Sequence, residues 1–193
     1  MKNAIIIHGI DETREDFLET PNGPSNFHWF PWGQWEMVKM GILAQTPEMP
    51  NPYLADMNYD DWTGVFEQFD VNKDTILIGH SCGGGYLLKY LSLNPNVCAG
   101  HLILIAPWID VEGKHPTFFK DFELDSDFLN RVGRIDLFYS TDDDDYIIKS
   151  VDKIKSVYGD KIIYHEFSDK GHFCMDDIGS TFPEVLEIIK SEL

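Results

Sequence analysis

The chain has 193 residues and 22.2 kDa, 43% of them apolar and 25% charged, which suits one globular domain with a sizeable core. Its net charge, 15 − 33 = −18 with histidine neutral, argues against nucleic acid or an anionic membrane as partner, because phosphate binding needs clustered Lys and Arg. Cys82, Cys98 and Cys174 lack CxxC spacing, so neither a disulfide framework nor a zinc site is indicated.

The first apolar run, 4–7 within a candidate strand at 4–8, is too short for a signal-peptide core and no small-residue cleavage site follows it. No later run reaches the roughly 18 residues that a membrane span needs. A soluble, cytoplasmic protein is expected, and a monomer, since no apolar surface stripe stands out. Further short runs read as strands at 44–47 (a weak one), 75–79, 101–106, 135–140 and 161–167. They are mostly unalternating, as strands buried on both faces are. Helical patterns lie between them at 32–43, 60–69, 84–93, 146–158 and 181–193. Such alternation predicts an α/β fold with a parallel sheet of about six strands and right-handed crossovers. One connection, 107–134, is long, aromatic and acidic. Loops of that length often cover a site, so it reads as a small lid with a short helix near 127–131.

The strand at 75–79 runs into Gly79-His80-Ser81-Cys82-Gly83-Gly84-Gly85. A P-loop would need Lys and Ser or Thr where Gly85 and Tyr86 stand, and a dinucleotide fingerprint from Gly83 fails at Leu88. GxSxG between a strand and a helix fits the nucleophile elbow, in which flanking Cβ atoms would collide with the strand and helix. That turn lifts the Ser81 hydroxyl above the sheet and aims the Cys82 backbone N–H at a developing oxyanion. The loop after the first strand, His8-Gly9-Ile10-Asp11, should supply the second donor from Ile10.

A serine hydroxyl needs a base, and the elbow predicts the chain order serine, acid, histidine. Asp142 and Asp143 begin an acidic run after the fifth strand, and His172 lies in a Gly-flanked loop after the sixth. His8 and His80 adjoin glycine turns and read as lining the site, but sit too close to strand ends to serve as a mobile base. The strand-to-helix geometry favours Asp143 as the acid, with Asp142 as runner-up; the remaining aspartates read as a solvated turn. The EF-hand alternative fails for want of alternating ligands, a central Gly and a closing Glu.

Further motifs carry a family resemblance: IIIHGI, HWFPW (28–32), MPNP (49–52), DW (61–62), GHSCGG (79–84), STDD (140–143) and GHF (171–173). The chain resembles the small α/β-hydrolases of the retinoblastoma-binding protein nine and YdeN group, nearly end to end. The resemblance implies a compact α/β-hydrolase fold without the first two strands of the full fold. It implies a Ser81–Asp143–His172 triad and esterase- or amidase-like action on small acyl substrates, with no metal or organic cofactor. In related sequences STDD precedes a proline-bearing segment, whereas here Asp144-Asp145-Tyr146-Ile147 follows. Trp29 and Trp108, next to loops expected at the rim, are candidate substrate contacts; Trp32, Trp35 and Trp62 read as core. The alternative reading is a hydrolase-like scaffold that binds a protein or small ligand without turnover. Gly84 follows the family pattern; Gly85 has no role that the pattern supplies.

Overall fold

The computed structural model describes residues 2–120 and 122–191. In chain order the elements are β1 (Asn3–Ile7), α1 (Arg14–Glu19), α2 (Phe30–Lys39), β2 (Leu43–Gln45), α3 (Tyr59–Phe66), β3 (Thr75–His80), α4 (Cys82–Leu93) and β4 (Ala99–Ile105). Then come α5 (Pro116–Phe119), a 3-10 turn (Asp127–Arg131), β5 (Val132–Ser140), α6 (Asp145–Tyr158), β6 (Ile163–Phe167), α7 (Met175–Ile178) and α8 (Pro183–Lys190). The strands form one parallel sheet in the order β2-β1-β3-β4-β5-β6. This is the six-stranded parallel α/β sheet expected. The last three residues of the helix expected at 181–193 include positions 192 and 193, which lie outside the described residues, as does Asp121 in the 107–134 segment.

Parallel strands covered on both faces must be apolar throughout, and Ile5, Ile6, Ile7, Leu77, Ile78, Leu102, Ile103 and Leu104 are fully buried. β4 and β5 begin two and three residues earlier than expected. Gly100 and Gly133 read as punctuation in sequence, yet both lie in strands, where backbones come close. A Cβ on Gly133 would stand 2.6 Å from the Gly100 carbonyl oxygen, and one on Gly100 the same distance from that of Lys73. Three helices, α1, α5 and α7, escaped the periodicity reading because they are short, and two of them are capped locally. In α1, Thr13 and Asp16 exchange side chain-to-backbone bonds of 3.1 Å each; in α7, Asp177 serves Cys174 in the same way.

The chain turns from β1 outward to β2, then crosses back to β3 on the other side of β1. At such a switch of winding direction the loops leaving the two central strands diverge and open a crevice at their carboxyl ends. Ile7 is paired with Gly79 and His80 with Ile105, so the loops after β1, β3 and β4 leave the same edge. Ser140 pairs with Phe167, which brings the loops after β5 and β6 to that edge as well.

α4 is the central helix, buried from Cys82 to Leu91. Its glycines are set by contact. A Cβ on Gly83 would lie 2.3 Å from the Ile7 carbonyl oxygen, and one on Gly85 only 1.8 Å from that of Trp108. Gly85 thus lets the helix touch the chain leaving β4. The buried Lys89, one turn on, donates to the carbonyls of Phe118 at 2.8 Å and Lys120 at 3.0 Å, fastening the 107–134 segment to α4.

Candidate active site

Ser81 joins β3 to α4 with φ 55° and ψ −124°, a conformation that side chains other than glycine's adopt at a cost of about 1–3 kcal/mol. It persists because the surroundings determine it. The Ser81 N–H donates to the Ile105 carbonyl at 2.9 Å, and its own carbonyl accepts from Gly84 and Trp108, both at 3.0 Å. On the strand side Gly79 is required, since a Cβ there would meet the Gly84 Cα at 2.6 Å. Across the turn, Gly9 approaches so closely that a Cβ would stand 2.9 Å from the Ser81 Cβ. Cys82 opens α4, so its N–H is among those left free of intrahelical partners. Its thiol is fully buried, and burial pushes it well above the usual range.

The loop after β6 brings His172 to Asp143, with Nδ1 3.0 Å from each carboxylate oxygen. Asp143 is 1% exposed and His172 21% at the side chain, so the carboxylate is sheltered while the ring faces an opening. Asp142 does something else. Its Oδ1 accepts from the Ser140 hydroxyl and from the Gly171 N–H at 3.2 Å, tying the β5 loop to the loop that carries His172. The Ser140 hydroxyl, with smaller help from Gly171, holds its carboxyl below the usual range, burial opposing. Asp177 clamps the other flank, accepting from the backbone of His172 at 3.0 Å and of Cys174 at 3.1 Å.

Two histidines, His80 buried and His28 half-buried, back this loop. The His172 carbonyl can only accept, so His80 Nε2, 2.7 Å away, carries the proton, and the two rings lie 4.9 Å apart. His28 accepts the Met175 N–H at Nδ1 over 3.0 Å and lies 5.9 Å from the His80 ring. Burial, and next the neighbouring His172, pull His28 down to about 4. Burial sends His80 well below its ordinary value. Both stay neutral at physiological pH.

A cavity of about 500 Å³ opens above these groups, with Ser81, His172 and Ile10 among its walls. Trp108 and Asp110 contribute from the chain after β4, Asp144 and Tyr146 from the start of α6. Asp110, at φ 47°, is held by the N–H groups of Lys114 at 3.0 Å and His115 at 2.7 Å. The walls are acidic: Asp11, Glu12, Asp110, Glu112 and Asp144 face Lys114 and His115. Glu112 is offset by Lys114 and Lys149, each at 2.5 Å. Among the described residues no group of three or more His, Cys, Asp or Glu side chains could hold a metal ion.

Of the expected site residues, Ser81, Ile10, His172 and Trp108 share the cavity, and Asp143 reaches it through His172. Trp29 does not. It is fully buried against Phe30 and Phe182, as the residue just before α2, and packs in the core rather than at the rim. Trp62 is in the core as expected, whereas Trp35 is 60% exposed on α2. His28 and Asp177 were missed as supports of the His172 loop, and His80, expected only to line the site, supports that loop too. Only Asp177 left a local signal, its capping distance from Cys174.

A parallel sheet of this order, with a strained serine turn after its central strand, has the α/β-hydrolase fold. A relative from Bacillus subtilis (strain 168) described as "Putative hydrolase YdeN" is 25% identical over 198 residues, covering 98% of this chain and 95% of its own. The crystal structure of the ydeN gene product from B. subtilis superposes with a TM-score of 0.77 at 22% identity, covering 99% of this chain and 98% of that one. Est1E from Butyrivibrio proteoclasticus with ferulic acid bound superposes at 0.67 and 14% identity, over 99% and 87%. No family model matches the chain. Of the resemblance read from the motifs, these comparisons support the YdeN half. No helix of the described residues is long and apolar enough to cross a membrane.

Proposed function

We propose that the chain is a serine hydrolase that cleaves small esters or amides through an acyl-enzyme. The reading is carried by one juxtaposition: His172 held bidentately by Asp143, in a cavity shared with a serine kept at positive φ. His172 takes the Ser81 proton as Oγ bonds to the carbonyl carbon. Asp143 fixes the tautomer with Nδ1 protonated and stabilises the imidazolium. The N–H groups of Ile10 and Cys82 receive the oxyanion; loss of one such donor typically costs about 10²–10³ in rate. The intermediate collapses as the bond to the leaving group breaks and His172 returns the proton to it. Water, deprotonated by the same histidine, then releases the carboxylic acid and restores Ser81.

The 107–134 segment serves as a fixed lid whose Trp108 forms a wall of the acyl or leaving-group site. The whole chain acts as one hydrolase domain, and no step requires a metal or organic cofactor.

The test is labelling with a fluorophosphonate probe, alongside turnover of p-nitrophenyl acetate. Wild type should label, and Ser81→Ala and His172→Ala should not. A folded wild type that neither labels nor turns over any of a panel of esters would leave a binding scaffold in its place.

A further inference from the structure

The loop after β1 bears on the oxyanion site only if its peptide planes are held in one orientation, and a glycine at position 9 leaves that orientation soft. Three braces hold it, one between neighbouring residues and two from the tertiary structure. The Gly9 carbonyl lies 2.7 Å from His8 Nδ1 and can only accept, so Nδ1 carries the proton. On the other side of the same ring, the Met49 N–H donates to Nε2 at 2.9 Å. One neutral tautomer satisfies both bonds, and the ring is fully buried. Past Ile10, the Asp11 N–H donates to the Pro52 carbonyl at 2.8 Å. The 49–52 segment is itself fastened, its Pro50 carbonyl accepting from the Trp62 indole at 2.9 Å.

We infer that His8, backed by the 49–52 segment, is a positioning residue that aims the Ile10 N–H at the oxyanion. A trans peptide places C=O and N–H on opposite sides of its plane. With the Gly9 oxygen drawn to His8, the Ile10 N–H points the other way, and Ile10 lines the cavity that holds Ser81. The inference rests on the serine-hydrolase reading and accounts for two features that reading leaves idle. One is a buried histidine beside the first glycine turn; the other is the MPNP motif, whose prolines do not line the cavity yet present carbonyls at fixed places.

The test compares His8→Leu, His8→Asn and His8→Gln with wild type in kcat and KM for p-nitrophenyl acetate. It adds Ki for a trifluoromethyl ketone, whose adduct on Ser81 carries an oxyanion. His8→Leu should lower kcat roughly 10–100-fold, below the full loss of an oxyanion donor, with KM within about threefold. Its trifluoromethyl ketone affinity should fall by a similar factor. Asparagine can set an amide N–H where Nδ1 stands and should restore activity above His8→Gln, whose amide reaches the Nε2 position. This ordering keeps the test sharp should His8→Leu fail to fold. A folded His8→Leu with wild-type kcat overturns the inference, as does His8→Gln matching or exceeding His8→Asn. An inert wild type fails the hydrolase reading itself, and this inference with it.

Discussion

The residue before the candidate nucleophile holds the backbone of the candidate base: His80 Nε2 donates to the His172 carbonyl over 2.7 Å, across 92 positions of sequence. Strand β3 therefore presents Ser81 and fixes the loop that must serve it. His80→Phe keeps the ring bulk against Phe30 and His172 but leaves that carbonyl only the weak donation of the Cys174 thiol at 3.8 Å, at a cost of about 1–3 kcal/mol. The expected result is a lower kcat and a lower urea midpoint in a protein with unchanged circular dichroism. Unchanged kcat would show that the bond does not position His172.

Asp142 and Asp143 should separate in kind. Asp143→Asn changes what His172 Nδ1 faces and should lower kcat by about 10³–10⁴, as loss of the acid in a serine triad does, with little change in stability. Asp142→Asn weakens the tie between Ser140 and Gly171; kcat should fall about tenfold or less and the melting temperature should drop. Esterase assays and calorimetry on the two variants read both quantities. The reverse pattern would make Asp142 the acid.

Stability should decline as pH falls from about 6.5 towards 4. His28 sits near 4 in the folded protein, chiefly through burial, and at about 6.5 unfolded. Between these values the unfolded chain binds the proton and the folded chain does not, so acid favours unfolding, by up to about 3 kcal/mol from this one group. His28→Asn keeps an acceptor for the Met175 N–H where Nδ1 stands and cannot titrate. Urea unfolding at pH 7.5 and 4.5 should show a smaller acid loss in the variant than in wild type.

The acidic cavity should sort substrates by charge. Asp11, Glu12, Asp110 and Asp144 outweigh Lys114 at its walls. Esters matched in size should rank cationic, neutral, anionic in kcat/KM, with roughly tenfold between the extremes at low salt, narrowing as salt screens the walls. The same field favours departure of the carboxylate product. Equal rates for all three would mean the walls do not act on the reacting end.

Much of the fold was legible because burial leaves a periodic record. Unbroken runs such as Ile5–Ile6–Ile7 mark strands covered on both faces, and every expected strand is present within a few residues. Errors fell where glycine is ambiguous: Gly100 and Gly133 look like breaks but permit close approach of strands. Short capped helices also escaped, since four or six residues hold too few turns for a period to emerge.

Sequence alone determined the order of strands and helices, the serine turn with its obligatory glycines, and the candidate acid and base at loops that leave one sheet edge. These are properties of local sterics and of burial patterns a few residues long. Tertiary structure decided which aspartate meets His172, sent Trp29 to the core, and set His80 and Asp177 against the backbone of His172. It also supplied the reason for Gly85, a helix face pressed on the Trp108 carbonyl. Those outcomes depend on where loops converge across tens of residues, and a linear pattern carries no record of distances between atoms that only folding brings together.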